Sequence, residues 1–192
     1  MRLGVFSDIH CHIDELDQAL DELAGAVEGI WCAGDIVLEY RFSTETVRRL
    51  RDEGAIAIQG NHDIVLLSPA GAAARARPGV EPDALDWLGA LPLRQEAVVD
   101  GTRLLMLHGS PWEPYGDYLG PRHPAWRRVD ELGTDILIVG HTHMPMAERV
   151  NGTLIVNPGS LGEPRQHDDR RSTYALVDTA TRTAEIRRLG DR

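Results

Sequence analysis

Strands and helices alternate over the first 59 residues, and this alternation limits the folds that are open to the chain. Short apolar segments at 3–6, 29–33 and 55–59 predict three strands. Between them, apolar residues recur at helical spacing over 13–27, and a second helix is predicted over 44–53. Strands that are joined through helices lie parallel in one sheet. This part of the chain therefore predicts a βαβαβ unit with a parallel sheet.

The second half of the chain is richer in hairpins. Asp100-Gly101 and Asn151-Gly152 are strong turn signals between apolar segments. Helices are predicted over 82–90 and 124–132, and a short helix or loop over 68–79. The remaining predicted strands are 94–99, 103–107, 135–139, 146–150, 153–156, 172–177 and 183–188. Two mixed sheets packed face to face, with helices outside, accommodate this order and predict an α/β (α+β) fold.

Composition narrows the class of protein further. The 192 residues carry a net charge of −10, which argues against binding long nucleic acid. A small phosphorylated ligand stays open, because bound metal ions can dominate the local field. Without a linker, a signal peptide or a membrane-spanning apolar stretch, we expect one domain over 1–192 in the cytoplasm, away from the membrane. The two cysteines also favour a reduced compartment.

Side chains of the types that bind metals follow five of the predicted strands, each at a glycine-flanked turn or loop. Any one of them alone is more typical of a turn or of a satisfied core histidine. Turn chemistry explains Gly, Asn and Asp at such positions, but it does not explain five histidines. The residues, in strand order, are Asp8 and His10, then Asp35, then Asn61 and His62, then His108, then His141 and His143.

The types of these side chains indicate which metal chemistry is expected. Carboxylate, carboxamide and imidazole groups exclude a structural cysteine-rich zinc site. These candidate ligands are too many for one tetrahedral ion, and they suit two ions about 3.5–4 Å apart that share a carboxylate. Manganese, iron and zinc all accept such mixed sets, so the residues do not choose among them.

Taken in order, these motifs resemble the full motif set of the calcineurin-like metallophosphoesterases, and the size of the chain resembles their compact single-domain phosphodiesterases. The resemblance covers 7 to about 165 and includes the segment 157–160. It implies a four-layer αββα sandwich and two divalent ions, with Mn²⁺ first and Fe, Zn, Ni or Co as alternatives. One ion would take Asp8, His10 and His143, the other Asn61, His108 and His141, and Asp35 would bridge them.

The resemblance also implies a mechanism. A hydroxide between the metals would attack phosphorus in line. His62 would not bind metal but would assist the leaving group. Asp63 would either hold the His62 ring in the useful tautomer or serve as a carboxylate at a helix N-terminus.

This chain departs from the family pattern at one place. Relatives usually carry Gly-Asn after the first Asp-x-His, whereas this chain has Cys11-His12. The backbone there either needs no positive φ or is slightly strained. Cys11 is expected as a buried apolar residue rather than a nucleophile. His12 is either a substrate contact or outer-sphere ligand, or an exposed residue that opens the helix.

Substrate contacts are expected mainly from the aromatic loop 112–123. Tyr115, with Tyr118, Arg122 and His123, could meet a base, a sugar or a second phosphate, or could form a packed surface loop. Arg165 is either a phosphate contact or part of a structural ion pair.

The leading functional prediction is a phosphodiesterase that acts on a small phosphorylated substrate, and relatives suggest a homo-oligomer. A phosphomonoesterase, a protein phosphatase or a nucleotide pyrophosphohydrolase would use the same site. A non-catalytic scaffold of the same fold is the alternative from another class.

Overall fold

The computed structural model describes residues 1–165 and 170–191, and ten strands and five α-helices lie in these ranges. The strands are β1 (Arg2–Phe6), β2 (Gly29–Cys32), β3 (Ile56–Ala57), β4 (Arg94–Val99), β5 (Thr102–Leu107), β6 (Ile136–Ile138), β7 (Met146–Val150), β8 (Thr153–Asn157), β9 (Thr173–Asp178) and β10 (Thr183–Arg188). The helices are α1 (Ile13–Leu23), α2 (Thr44–Asp52), α3 (Asn61–Leu67), α4 (Ala72–Arg75) and α5 (Pro82–Ala90). Two 3-10 helices span Pro69–Gly71 and Pro124–Leu132.

The strands form two mixed sheets of five. The first has the order β10-β9-β1-β2-β3. Strands β1, β2 and β3 are parallel, and β9 pairs antiparallel with both of its neighbours, β1 and β10. The second has the order β4-β5-β6-β8-β7, with a parallel centre of β5, β6 and β8 and an antiparallel strand at each edge. The predicted parallel unit and the predicted hairpins are therefore confirmed.

The two sheets pack face to face through one apolar core. Leu3 and Val5 of β1 contact side chains of the second sheet, including Ile136 of β6, while Phe6 points to the opposite face of β1. Helices α1 and α2 cover that opposite face, and Trp126 of the second 3-10 helix covers the outer face of the second sheet. This is the expected four-layer αββα sandwich. Strands that are covered on both faces are apolar, as β6 and the buried part of β1 after Arg2 are.

Three helices differ from the predictions, one in its end, one in its type and one in having no predicted range. The first helix ends at Leu23 instead of 27, because Gly25 takes a left-handed φ of +72° that ends a helix readily. Segment 124–132 is a 3-10 helix. No range was predicted for the helix Asn61–Leu67, since Gly60-Asn61 is also a turn signal; this helix agrees with the alternative that Asp63 lies at a helix N-terminus. No described helix is long and apolar enough to cross a membrane.

Shortening a side chain in the core between the two sheets is expected to lower the free energy of unfolding more than shortening an exposed side chain. Ile136→Ala, at a fully buried site of the shared core, is expected to lower the free energy of unfolding by about 2–5 kcal/mol. The control Val98→Ala, in a strand of the same sheet but 72% exposed, is expected to change it by less than about 0.5 kcal/mol. Urea denaturation of both variants at one fixed metal concentration measures the difference. Equal losses would contradict the described packing.

Candidate metal centre

The topology brings the carboxyl ends of four parallel strands to one edge of the sandwich. Asp8 follows β1 and Asp35 follows β2, and the backbone N–H of Asp8 donates to the carbonyl of Gly34 at 3.0 Å. His108 follows β5 and His141 follows β6 in the other sheet. The N–H of His141 donates to the carboxylate of Asp8 at 3.1 Å, which joins the two sheets at this edge. The predicted ligands therefore converge.

One group of possible metal ligands consists of Asp8, His10 and His143, all buried. Nε2 of His143 lies 3.1 Å from Oδ1 of Asp8 and 3.3 Å from Nε2 of His10. Nε2 of His10 lies 3.8 Å from the same carboxylate oxygen. These three atoms form a set that could hold a divalent cation.

A second group consists of Asp35, His108 and His141. Nε2 of His108 lies 3.2 Å from Oδ2 of Asp35, and the rings of His108 and His141 are 5.1 Å apart. Asn61, the first residue of α3, places its Oδ1 3.0 Å from Nε2 of His108. The predicted carboxamide is thus beside this group.

Asp35 lies within reach of both groups. Its carboxylate, a ring nitrogen of His10 and a ring nitrogen of His62 fall within 4.8 Å of one another. Asp35 also belongs to the second group, through Oδ2, while its Oδ1 accepts the backbone N–H of His62 at 2.8 Å. Asp35 therefore lies between the two groups.

Backbone carbonyls fix the tautomers of three of these histidines. Nδ1 of His143 faces the carbonyl of Glu163 at 2.6 Å, Nδ1 of His108 faces that of Ala33 at 2.7 Å, and Nε2 of His141 faces that of Gly116 at 3.1 Å. A carbonyl oxygen only accepts, so each of these nitrogens carries the hydrogen. The other nitrogen of each neutral ring is then free to bind a metal.

The residues present fit a bound cation. In neutral His143 the lone pair on Nε2 is aimed at Oδ1 of Asp8, a buried oxygen with no hydrogen-bond partner among the described residues. Two acceptors that face each other in the interior need a cation between them, either a proton or a metal ion. The hard and borderline donors of both groups suit Mn²⁺, Fe or Zn²⁺.

The electrostatics favour ionised carboxylates at this edge. Burial by itself would raise the pKa of Asp8, but the imidazoles of His143 and His108 outweigh it and lower that pKa to about 2. Burial also opposes ionisation of Asp35, and the charge of His108 lowers its pKa all the same. The Asp35 carboxylate in turn outweighs the burial of His108 and raises the pKa of that ring to about 9. Both carboxylates are therefore favoured in the ionised form, which is the form that binds a cation.

The segment 157–160 holds the ligand loops in place. Nδ2 of Asn157 donates to the carbonyl of Gly140 at 2.7 Å and to Oγ1 of Thr142 at 3.0 Å. Oγ of Ser160 donates to the carbonyl of Asp8 at 2.7 Å. Asn157 and Ser160 are fully buried, so this motif positions the ligand loops by hydrogen bonds made in the interior.

The backbone is left-handed at most of the predicted ligands. φ lies between 52° and 67° at Asp8, His10, Asp35, His141 and His143. The neighbouring Cys11 also has a φ of 66°, so the position where relatives carry Gly keeps its positive φ with a side chain in place. Cys11 is buried, as expected. Burial raises the pKa of its thiol to about 11, which suits an apolar residue and not a nucleophile.

The structure gives the His62 ring a partner that the sequence did not reveal. Nδ1 of His62 makes a close ion-pair contact with Glu39, and Nε2 lies 3.8 Å from Oδ2 of Asp35. Holding this ring was one of the two roles open for Asp63, but Asp63 accepts hydrogen bonds from the backbone N–H groups of Gly60, Val37 and Ile36. Asp63 therefore fills its alternative role, a carboxylate at a helix N-terminus. Glu39 lies in an irregular segment without periodicity, and no sequence signal marked it.

The expected substrate contacts lie at different distances from the centre. His12 opens α1, with Nδ1 3.4 Å from Oε2 of Glu15, and it belongs to neither ligand group. Tyr115 lines a cavity beside Asn61, whereas Tyr118 stacks on His141 with the ring centroids 4.1 Å apart. Arg165 is exposed, and its backbone N–H donates to the carbonyl of His143 at 3.4 Å. Their roles toward a substrate stay predictions.

Comparisons with known proteins agree with this geometry. A family model described as the calcineurin-like phosphoesterase superfamily domain matches residues 1–182. A probable metallophosphoesterase of Methanothermobacter thermautotrophicus is 29% identical over 99% of this chain and 94% of its own. An uncharacterized protein of Methanocaldococcus jannaschii is 28% identical over 97% of this chain and 86% of its own. The crystal structure of a metallophosphoesterase from Sphaerobacter thermophilus superposes with a TM-score of 0.77 at 28% identity, covering 100% of this chain and 90% of its own.

The fold and the clustered ligands define a metal-dependent phosphoester hydrolase. Since the family model covers nearly the whole length, the chain belongs to the calcineurin-like phosphoesterase superfamily, and the resemblance seen in the sequence is confirmed.

The strained position beside the centre gives a testable order of stabilities. Cys11→Ala keeps the positive φ, whereas Cys11→Gly relieves it, so the Gly variant is expected to be the more stable by about 1 kcal/mol. At Cys32, which is buried in β2 and has no positive φ, the order should reverse. Urea unfolding of the four variants measures both differences. An Ala variant at position 11 as stable as the Gly variant would contradict the strain.

Proposed function

We propose that this protein is a phosphodiesterase that uses two divalent metal ions. The main support is the pair of ligand groups, Asp8 with His10 and His143 and Asp35 with His108 and His141, at one edge. Asp35 reaches toward both groups, which suits a bridging ligand. Asn61 completes the second group through its carboxamide oxygen. Mn²⁺ is the first metal to test, and the homo-oligomeric state and the cytoplasmic location stay predictions.

Two bound ions would supply positive charge for the phosphoryl oxygens and would lower the pKa of a bound water to make it a nucleophile. The chain's own residues then have to orient the ester and handle the proton of the leaving group. Both ligand groups face the same edge of the sandwich. One phosphate bound at this edge would therefore lie next to both of them.

His62 is the residue that we assign to the leaving group. Its side chain is partly exposed, and its ring packs edge-on to that of His10 at 4.8 Å between centroids. The Glu39 carboxylate contacts Nδ1 of His62 and so orients the ring. Nε2 then faces the centre and can give its proton to the departing oxygen. Glu39 acts through His62 and is a positioning residue.

The charges around the centre favour a diester over a monoester. A diester carries one negative charge on its phosphate, whereas a monoester carries nearly two at neutral pH. Arg94 is the one arginine among the described residues that line the adjoining cavity, and its guanidinium pairs with Glu96. A cavity with no unpaired arginine among its described lining residues suits the less charged ester. The complete ligand set and His62 support an enzyme over a scaffold.

A metal-by-substrate screen tests the proposed function. The purified protein, stripped with a chelator and reloaded with Mn²⁺, Fe²⁺, Zn²⁺, Ni²⁺ or Co²⁺, is expected to hydrolyse bis(p-nitrophenyl) phosphate in preference to p-nitrophenyl phosphate. Cyclic nucleotides, dinucleoside polyphosphates and phosphoproteins complete the panel. A preference for monoesters or for pyrophosphate bonds would replace the diester proposal by one of those activities. No turnover with any metal would contradict it altogether.

The role of His62 is tested separately from metal binding. His62→Ala is expected to lower kcat about 100- to 10,000-fold while the metal content stays at two ions per chain. Glu39→Gln, which removes the charge but keeps the size, should lower kcat less. Asp35→Asn, the comparison variant, should lose metal. Metal analysis beside the kinetics separates the cases, and loss of metal from His62→Ala would show that His62 is a ligand.

A further inference from the structure

A cavity of about 450 Å³ opens directly beside the second ligand group. Asn61, His108 and His141 form its wall toward the metal centre. The loop after β5, which carries Tyr115, forms another wall. A phosphate seated at the centre would therefore have one of its substituents next to this cavity.

The outer walls of the cavity are apolar and open to solvent. Ile64, Leu93 and Tyr115 line it and are 44%, 61% and 62% exposed. Large apolar side chains that remain exposed together beside a reaction centre are typical of a binding site, since leaving them in water has no structural benefit. Such walls would gain contacts from an apolar or aromatic group.

Three of the polar side chains that line the cavity, those of Gln59, Ser110 and Arg94, have partners within the protein. Nε2 of Gln59 donates to the carbonyls of Leu88 and Gly89, and Oγ of Ser110 donates to that of Trp112. Arg94 pairs with Glu96. A charged group or a group rich in hydroxyls would find few free partners in this cavity. The chemistry of the walls therefore selects an uncharged group that is recognised by contact and shape.

The position of His62 decides which substituent of the phosphate occupies the cavity. His62 packs against His10 and pairs with Glu39, on the side of the first ligand group, and it does not line the cavity. If His62 protonates the leaving oxygen, the leaving group departs on that side. The cavity, on the side of His108 and His141, then faces the other ester group.

We propose that this cavity binds the ester group that stays on phosphorus, and that this group is bulky, uncharged and apolar or aromatic. The inference rests on the proposed phosphodiesterase function and deepens it by naming the substrate class. In the reaction, the oxygen of water forms a bond to phosphorus, and the bond from phosphorus to the leaving oxygen breaks. The leaving oxygen keeps that electron pair and takes a proton from His62 to become an alcohol; the water gives up one proton as it attacks, and an equivalent proton returns to His62 after the reaction. The retained group remains in the cavity as a phosphomonoester.

A series of diesters with one constant leaving group tests this assignment. The Mn²⁺-loaded protein is given p-nitrophenyl phosphate diesters whose second group is methyl, phenyl or 1-naphthyl. Each kcat/KM is divided by the rate of the same diester with hydroxide, which removes the intrinsic reactivity. We expect this ratio to rise about tenfold or more from methyl to phenyl, and to stay high for naphthyl. A ratio that is equal for all three diesters would overturn the inference and leave the phosphodiesterase intact.

Variants locate the effect in the cavity. Leu93→Ser and Ile64→Ser replace exposed side chains, so both proteins should fold, and the preference for phenyl over methyl should fall toward one. The control Val98→Ser, at an exposed position in β4 that does not line this cavity, should keep the full preference. A preference that survives in Leu93→Ser and Ile64→Ser would overturn the assignment.

A second series separates the two sides of the phosphate. Diesters with a constant methyl group and leaving phenols of matched pKa but different size should give similar values of kcat/KM. A strong dependence on the size of the leaving phenol would place the leaving group in the cavity and would overturn the inference. If no diester is hydrolysed with any metal, the proposed function fails, and the inference falls with it.

Discussion

The other parts of this structure depend on two buried carboxylates, Asp8 and Asp35, because their charges have to be compensated in the interior. Both are essentially inaccessible to solvent, and removing an ionised carboxylate from water costs several kcal/mol. Imidazoles are the partners that the structure gives them as ion pairs: His10 and His143 for Asp8, and His62 and His108 for Asp35. A divalent cation bound here would compensate the unfavourable free energy of the two buried charges, so the burial of the carboxylates increases the affinity for metal. The four-layer sandwich serves this arrangement, because it brings the strand ends of two sheets to one edge.

The loops at this edge are held in conformations that they would not adopt alone. A left-handed backbone at a non-glycine residue costs on the order of 1–3 kcal/mol, and five of the predicted ligands have one. The buried hydrogen bonds of Asn157 and Ser160, together with the packed sheets, hold these turns. The geometry of the centre is therefore set in part by residues that belong to neither ligand group.

Most of the ligand set could be predicted from sequence because each member directly follows an apolar strand, where local pattern and topology agree. Glu39 could not be predicted, since its contact with His62 depends on an irregular segment. This segment reverses direction at a single antiparallel bridge between Leu38 and Arg41. The role of Asp63 was ambiguous for a related reason: Gly60-Asn61 starts a helix as readily as it makes a turn. In the aromatic loop, Tyr118 and not Tyr115 stacks on His141, and spacing along a loop does not determine which ring turns inward.

The ligands are spread over more than two thirds of the chain, from Asp8 to His143, and no single sheet or loop contributes the whole set. The unfolded chain therefore has no assembled site, and the free energy of metal binding adds to the free energy of folding. At free metal one hundred times the dissociation constant, each independent site would stabilise the native state by about 2.7 kcal/mol. The heat resistance of this protein is consequently a property of the protein and its metal supply together, and a cell short of metal would hold a more easily degraded form.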